Sequence, residues 1–275
     1  MLSSYTATRY VQPLREGGSL PAIVDTDGGL FVAKFRGAGQ GAKALVAELI
    51  VGLIAQALEL PVPELALVDV SPLFGRSEPD PEIQDLLRAS HGTNVGLRYL
   101  EGAFNLALPA APELIDPDFA ARLVWLDAIT TNPDPTARNP NLLLWERRPW
   151  LIDHGAALYA HHDWSRVDAA RTRSRFPMIQ DHVLLTVSGD LEAADAFAAE
   201  RLTEAGIEEV LREVPDELLM DAVGGQDFTS AAAARERYAV YLGERLRAPR
   251  DFVAEAIEAR ARRRAEPPRP LSARR

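Results

Sequence analysis

The sequence predicts an α+β fold in two lobes, a small sheet-rich lobe over residues 1–100 built around one buried helix and a larger helical lobe over residues 101–264. Three observations lead there. Before residue 100 the apolar runs are short and β-branched, and a single long apolar run interrupts them. After residue 116 apolar residues recur mostly at helical spacing. Between the two patterns lies "TNPDPTARNPNLLLWERRPWLIDHG", which gathers three of the chain's five Asn and then forms two short apolar runs.

The elements follow in order. "LPAIVDTDGGLFVAKF" is two β-rich runs around Asp27-Gly28, a hairpin signal. "GAKALVAELIVGLIAQALEL" is rich in helix formers and apolar on nearly every face, so a buried helix is expected over residues 42–58. "PELALVDV" and "NVGLRYL" are further strands, with the Pro- and Asp-rich "RSEPDPEIQD" as their connection. Asp116-Pro117 opens a helix through "DPDFAARLVWLDAITT", and nearly everything from Trp164 to Arg264 is expected to be helical. Residues 265–275 are expected to form a disordered basic tail, since "ARARRRAEPPRPLSARR" mixes Arg with Pro and cannot bury apolar area.

Composition narrows the function. With 275 residues, 47% of them hydrophobic, there is enough apolar material for a full core. The absence of Cys excludes disulfides and thiolate metal sites. A net charge of −10 argues against a nucleic-acid surface outside the basic tail. The N-terminus lacks the build of a signal peptide, and the most apolar run, residues 44–58, is broken by Glu48 and Gln56 and is short for a bilayer. No membrane role and a cytoplasmic location are the expectations.

In the Asn-rich stretch, "NLLLW" and "PWLID" flank Glu146-Arg147-Arg148 as a tight antiparallel hairpin. Paired strands lie about 4.8 Å apart, so the hairpin brings Asn139 at its entry toward Asp153 at its exit. Asp134, in a loop stiffened by Pro133 and Pro135, supplies a second carboxylate. Two acids and an amide are oxygen donors suited to a hard cation such as Mg²⁺. Asp-x-x-x-x-Asn, a hairpin and Asp-x-Gly have the spacing of the catalytic and metal-binding loops of protein kinases.

The small lobe adds a cation. There are two Lys against 28 Arg, so a Lys in the apolar strand "LFVAKF" is a specific choice. Lys34 there and Glu48 in the buried helix would each be costly to bury alone and explain one another as a pair. Kinases use such a pair to hold the α- and β-phosphates of ATP.

On "GGSLPAIVDTDGGLFVAKF", "EPDPEIQDLLRAS", and the Asn-Pro-Asn and Ile-Asp-His-Gly signatures, the chain resembles the HipA-like kinase family over residues 17–182, in particular its short single-chain bacterial members. The resemblance implies a protein-kinase-like fold and ATP- and Mg²⁺-dependent phosphorylation of a hydroxyl, with Ser or Thr of a protein as the expected acceptor. It also implies an antitoxin-like partner, because better-known members belong to toxin–antitoxin systems. Position by position, Asp134 resembles the catalytic base, Asn139 and Asp153 the metal ligands, and Lys34, braced by Glu48, the phosphate-binding lysine. Gly17, Gly18 and Ser19 are the expected phosphate-covering loop, and Tyr99, Leu100 and Glu101 the segment against which adenine would sit. Arg138 is placed to steady the transferring group or to pair with a nearby carboxylate. Departures are the missing His-Arg before Asp134, His154 in place of Phe, and the prolines around Asp134.

Two other readings stand beside it. One is a pseudokinase that binds nucleotide without transfer, although Lys34, Asp134, Asn139 and Asp153 are all present. The other is a dinucleotide-binding oxidoreductase, since residues 37–42, "GAGQGA", satisfy G-x-G-x-x-[GA]. Against the latter, Lys34 lies at the centre of the strand and no acidic residue closes a next strand about 20 positions on. His161, His162 and Asp163 are neighbours whose side chains point apart, so packing rather than metal binding is expected of them.

Overall fold

The computed structural model describes residues 1–14, 20–76, 78–226 and 228–266. Its N-terminal lobe is a closed five-stranded barrel in the order β1-β2-β3-β5-β4, from β1 (Ser3–Pro13), β2 (Ala22–Thr26), β3 (Gly29–Lys34), β4 (Leu65–Val70) and β5 (Gly92–Arg98). All neighbours are antiparallel except β1 and β4, whose parallel pairing of Ser3 with Ala66 through Thr6 with Asp69 closes the barrel. Strand β1 carries no alternating apolar signal, since only Ala7 in it is buried, and it is not among the strands expected from the sequence. Its Tyr, Thr and Val content was the available cue.

Helix α1 (Gly41–Ala57) is buried along most of its length, as its apolar run predicts. It is not the lobe's single helix. The "PDPEIQD" connection folds as α2 (Pro81–Ala89), with Asp80 accepting the Glu82 N–H at 2.9 Å and Pro81 opening the first turn. This is the Asp-Pro start that also opens α4 (Pro117–Ile129).

In the second half, α3 (Ala111–Leu114) and α4 are accompanied by a small sheet ordered β6-β7-β8, formed by β6 (Phe104–Asn105), β7 (Leu142–Trp145) and β8 (Arg148–Leu151). Residues 164–190 are less helical than expected. They hold short 3-10 turns and α5 (Ala169–Thr172), pinned by the isolated buried side chains of Trp164, Phe176, Ile179, Leu184 and Leu185 rather than by an apolar stripe. Regular helices resume with α6 (Leu191–Arg201), α7 (Glu204–Arg212), α8 (Asp216–Ala222), α9 (Ala231–Leu246) and α10 (Asp251–Ala265).

The basic segment from Ala259 is helical through Ala265, with Ala259 fully buried. Arg260 donates to the Gly189 carbonyl and Arg264 to Ser188 O at 2.7 Å, so these cations cap a turn. The rest of the expected tail, residues 267–275, lies outside the described residues. One core cluster fills the barrel with Val24, Phe35, Val68 and Leu87; the larger one runs from α1 into the helical lobe through Ile50, Ile54, Trp125, Leu218 and Leu242. Among the described residues no helix is long and apolar enough to cross a membrane.

Candidate active site

Lys34 ends β3 opposite Val95 of β5, and its side chain points inward toward α1. Its Nζ lies 2.7 Å from Glu48 Oε2 and 2.6 Å from Asp153 Oδ1. The Lys34 side chain is 9% exposed, that of Glu48 0% and that of Asp153 41%. Burial alone would lower the Lys34 pKa, but the Glu48 and Asp153 carboxylates outweigh it and hold Lys34 above the usual lysine range. Burial likewise acts to raise Asp153, and Lys34, helped by His154 and the Gly155 N–H, holds it below the usual carboxylate range instead. The pairing of Lys34 with Glu48 is as expected; the link to Asp153 joins the two lobes. Glu48 Oε2 also takes the His154 N–H at 2.7 Å, so α1 is tied to the segment that carries Asp153. Gly155 continues that segment past Ala44, whose Cβ would lie 3.3 Å from a Cβ added to the glycine.

The loop below is organised by its asparagines. Asn132 Nδ2 donates to Asp127 Oδ1 at 2.8 Å while its Oδ1 receives the Asp134 N–H at 3.3 Å. Thr136 and Asn139 close a tight turn through reciprocal backbone bonds of 3.0 and 3.1 Å. Asn139 Nδ2 then reaches Asp134 Oδ2 at 2.8 Å. The hairpin pairs Leu142 with Leu151, and the Ile152 N–H bonds Asn141 O at 3.1 Å, so Asn141 rather than Asn139 stands across from the Asp153 region. With φ +54, Asn141 turns its amide to bridge Asp134 Oδ2 at 2.9 Å and Asp153 O at 3.1 Å. Asp153 is itself left-handed, φ +62, a backbone that Asp and Asn tolerate better than other side-chain-bearing residues. Arg138 is exposed and has no ion pair among the described residues.

No role is legible in the sequence for Asn132 or Asn141, nor for Asp127 and His182, whose ring Nε2 lies 3.0 Å from Asp127 Oδ2. Asp127 did leave a signal, as the one charged residue in the apolar run "LVWLDAIT". The role of Asn141 depends on hairpin register, which composition does not reveal.

A cavity of about 470 Å³ opens between barrel and hairpin. Ile23, Val32, Leu97, Leu143 and Ile152 give it apolar walls, and Lys34 and Asp153 stand in its lining. Tyr99 and Leu100 also line it, where β5 runs on toward β6. Glu101 is exposed and off the wall, its carbonyl accepting Trp145 Nε1 at 3.0 Å. Gly17, Gly18 and Ser19 lie outside the described residues; Leu14 and Pro21, joined by a 2.7 Å backbone bond, line the cavity.

Among the described residues no group of three or more His, Asp or Glu is placed to hold a metal. Mg²⁺ does not require one, because it keeps waters and substrate phosphates and takes one or two carboxylates from protein. Asp153 Oδ2 and Asn139 Oδ1 are the oxygens not engaged with Lys34 or Asp134, and by donor chemistry both suit such a cation, although it is Asn141 that the hairpin sets beside Asp153. His161 packs away from any such site. It is fully buried, bonds Tyr238 OH at 3.0 Å, and burial pushes its pKa down to about 3.

A lysine braced by a helix glutamate above an apolar cleft, with an Asp-x-x-x-x-Asn loop and an Asp-x-Gly turn beneath it, is the arrangement of the protein-kinase class. The antiparallel pairing of β3 on both edges leaves no parallel strand for a dinucleotide fold, and Gly37 is explained by packing, since an added Cβ would lie 2.7 Å from Ala89 Cβ. The model of the HipA-like kinase family matches residues 9–221, and the chain belongs to that family. No curated protein matches it. In fold the chain is similar to the crystal structure of a Helicobacter pylori proinflammatory kinase, CtkA, with a TM-score of 0.58 at 13% identity, covering 94% of this chain and 99% of that one.

Proposed function

We propose that this kinase transfers the γ-phosphoryl group of ATP, with Mg²⁺, to a Ser or Thr hydroxyl of a protein. The observation that carries the proposal is the position of Lys34 Nζ, held between Glu48 and Asp153 in the lining of an apolar cavity of about 470 Å³. An ammonium has three donors; two are committed to the carboxylates and the third remains for a phosphate oxygen. Glu48 fixes the direction of that donor, and the apolar walls beside Tyr99 and Leu100 suit a purine. Asp153 and Asn139 would hold the metal. When bound, Mg²⁺ neutralises charge on the transferring phosphates. Asp134, with Oδ2 pinned by two amides, has Oδ1 left to orient the acceptor hydroxyl and take its proton. An ATP requirement and the absence of Cys accord with a cytoplasmic location, and an antitoxin-like protein remains the expected partner.

The test is incubation with labelled ATP and Mg²⁺, alone and with a cell lysate, followed by mapping of labelled Ser and Thr. Lys34→Met should sharply weaken ATP binding or turnover in protein that still melts cooperatively. Asp153→Ala should abolish Mg²⁺-dependent nucleotide binding together with transfer. Asp134→Ala should leave Mg²⁺·ATP affinity within a few-fold and cut transfer by about 10² or more. Full transfer in Asp134→Ala would remove the assignment of the base, and tight Mg²⁺·ATP binding with no transfer in the parent would favour the pseudokinase reading.

A further inference from the structure

The catalytic loop lacks the His-Arg that precedes the aspartate in ordinary protein kinases, yet its Asp134 must be held as firmly. Behind the loop lies a closed polar relay in the core. Asp127, on α4, is 0% exposed, Asn132 3% and His182 6%. A carboxyl group at that depth is costly unless both its oxygens are engaged, and they are: Oδ1 accepts Asn132 Nδ2 at 2.8 Å, and Oδ2 lies 3.0 Å from His182 Nε2. The Leu184 N–H donates to His182 Nδ1 at 3.1 Å, so the ring proton is on Nε2 and points at Asp127.

This relay ends on the backbone on both sides of Asp134. On one side, Asn132 Oδ1 receives the Asp134 N–H. On the other, the residue after His182 closes the clamp, the Val183 N–H bonding Pro135 O at 2.9 Å. A cluster that served packing alone would have no reason to terminate at those two peptide groups, and apolar side chains would fill the same space without the cost of burying polar groups.

We infer that His182 and Asp127 are positioning residues for the phosphoryl-transfer step, acting through Asn132 and the 182–184 segment to set where Asp134 stands. They touch neither the Lys34 pair nor the walls of the nucleotide cavity, so the step they govern is transfer and not ATP binding. The inference rests on the reading of Asp134 as the base.

The experiment compares the full-length parent with His182→Phe, His182→Gln, Asp127→Asn and Asn132→Ala. Each is checked by thermal melting, titrated with Mg²⁺·ATP, and assayed for transfer from labelled ATP to the chain itself, to dephosphorylated casein and to water. His182→Phe keeps the ring volume and loses the donor; His182→Gln keeps a donor. The expected result is a fall in kcat of about 10- to 100-fold for His182→Phe and Asp127→Asn, with Mg²⁺·ATP affinity within about threefold of the parent, and partial recovery in His182→Gln. Should either of the first two fail to melt cooperatively, Asn132→Ala, which removes only the last link, is read by the same criterion. Parent-like kcat in the folded variants overturns the inference, as do a loss of nucleotide affinity parallel to the loss of kcat, and a His182→Gln no better than His182→Phe. A parent that transfers to none of the three acceptors overturns the kinase chemistry and this inference together, whereas an active parent with equally active variants overturns this inference alone.

Discussion

At the scale of residues, Lys34, Glu48 and Asp153 form an electrostatic unit that stability measurements can address. The Lys34 pKa is raised above its unfolded value of about 10.5, so its contribution is complete below that pH and is lost as pH rises through the folded value. Asp153 is depressed, so its contribution is present above an unfolded pKa near 3.9 and disappears as pH falls through the folded value. Both are therefore in force throughout the neutral range. Removing only the cation strands Glu48 in the core, and Lys34→Met should cost about 3–5 kcal/mol in urea unfolding. The double variant Lys34→Met/Glu48→Leu should be less destabilised than Lys34→Met alone; equal or greater loss would mean that the buried carboxylate is not the source of the cost. His161 titrates in the other sense. It is neutral in the fold, at a pKa of about 3, while the unfolded chain takes up a proton near pH 6.5. Stability should fall as pH drops from 6.5 toward 3, by at most about 1.4 kcal/mol per pH unit from this group, and His161→Gln should flatten that slope between pH 6 and 4. The Lys34–Glu48 pair was legible in sequence because each residue is an anomaly in its own surroundings. The Asp127–His182 contact was not, because its partners lie 55 residues apart and only the fold brings them together.

At the scale of elements, the β7–β8 hairpin shows what pattern reveals and what it hides. Two apolar runs around a short charged link were enough to place it, and the Asp-x-Gly turn at its end was visible as well. Its register was not, because the two-residue turn is Glu146-Arg147, with φ of +49 and +65, and contains neither Asn nor Gly. That register decides which asparagine faces Asp153. Left-handed backbone costs an ordinary L-residue about 1–2 kcal/mol, so the turn carries strain that a better matched pair would relieve. Glu146→Asn/Arg147→Gly should therefore raise stability by about 1 kcal/mol after allowing for the entropy of Gly in the unfolded chain. The melting temperature should rise by roughly 2–4 °C with transfer unchanged; a lower melting temperature would show that Glu146 or Arg147 contributes more than its backbone costs. The elements missed elsewhere failed for different reasons. Strand β1 buries almost nothing and so lacks a period to detect. Helix α2 was obscured by the Pro and Asp that begin it.

At the scale of the whole molecule, α1 packs against both the barrel and the helical lobe. In ordinary protein kinases the placement of this helix, and with it the Lys–Glu pair, is a point of control. Here Glu48 is already engaged with Lys34 and with the His154 N–H, and α1 packs on α7, α8 and α4 within one core that also includes the barrel strands β4 and β5. Arg36, just after β3, pairs with Glu217 and Asp221 on α8, and Lys43 Nζ donates to His162 O at 3.2 Å. Glu217 and Asp221 are 50% and 46% exposed, so these ion pairs are screened and each should contribute about 1 kcal/mol or less. The apolar seam dominates. Neutralising both acids as Glu217→Gln/Asp221→Asn should thus leave nucleotide affinity nearly unchanged. The corresponding expectation for motion is that α1 opens only with the whole molecule. Amide exchange across residues 45–55 should be among the slowest in the chain before any nucleotide is added, and Mg²⁺·ATP should change it little. Exchange there that is fast without nucleotide and slows markedly on its addition would show a mobile α1, a Lys34–Glu48 pair assembled by the ligand, and a seam weaker than its burial implies.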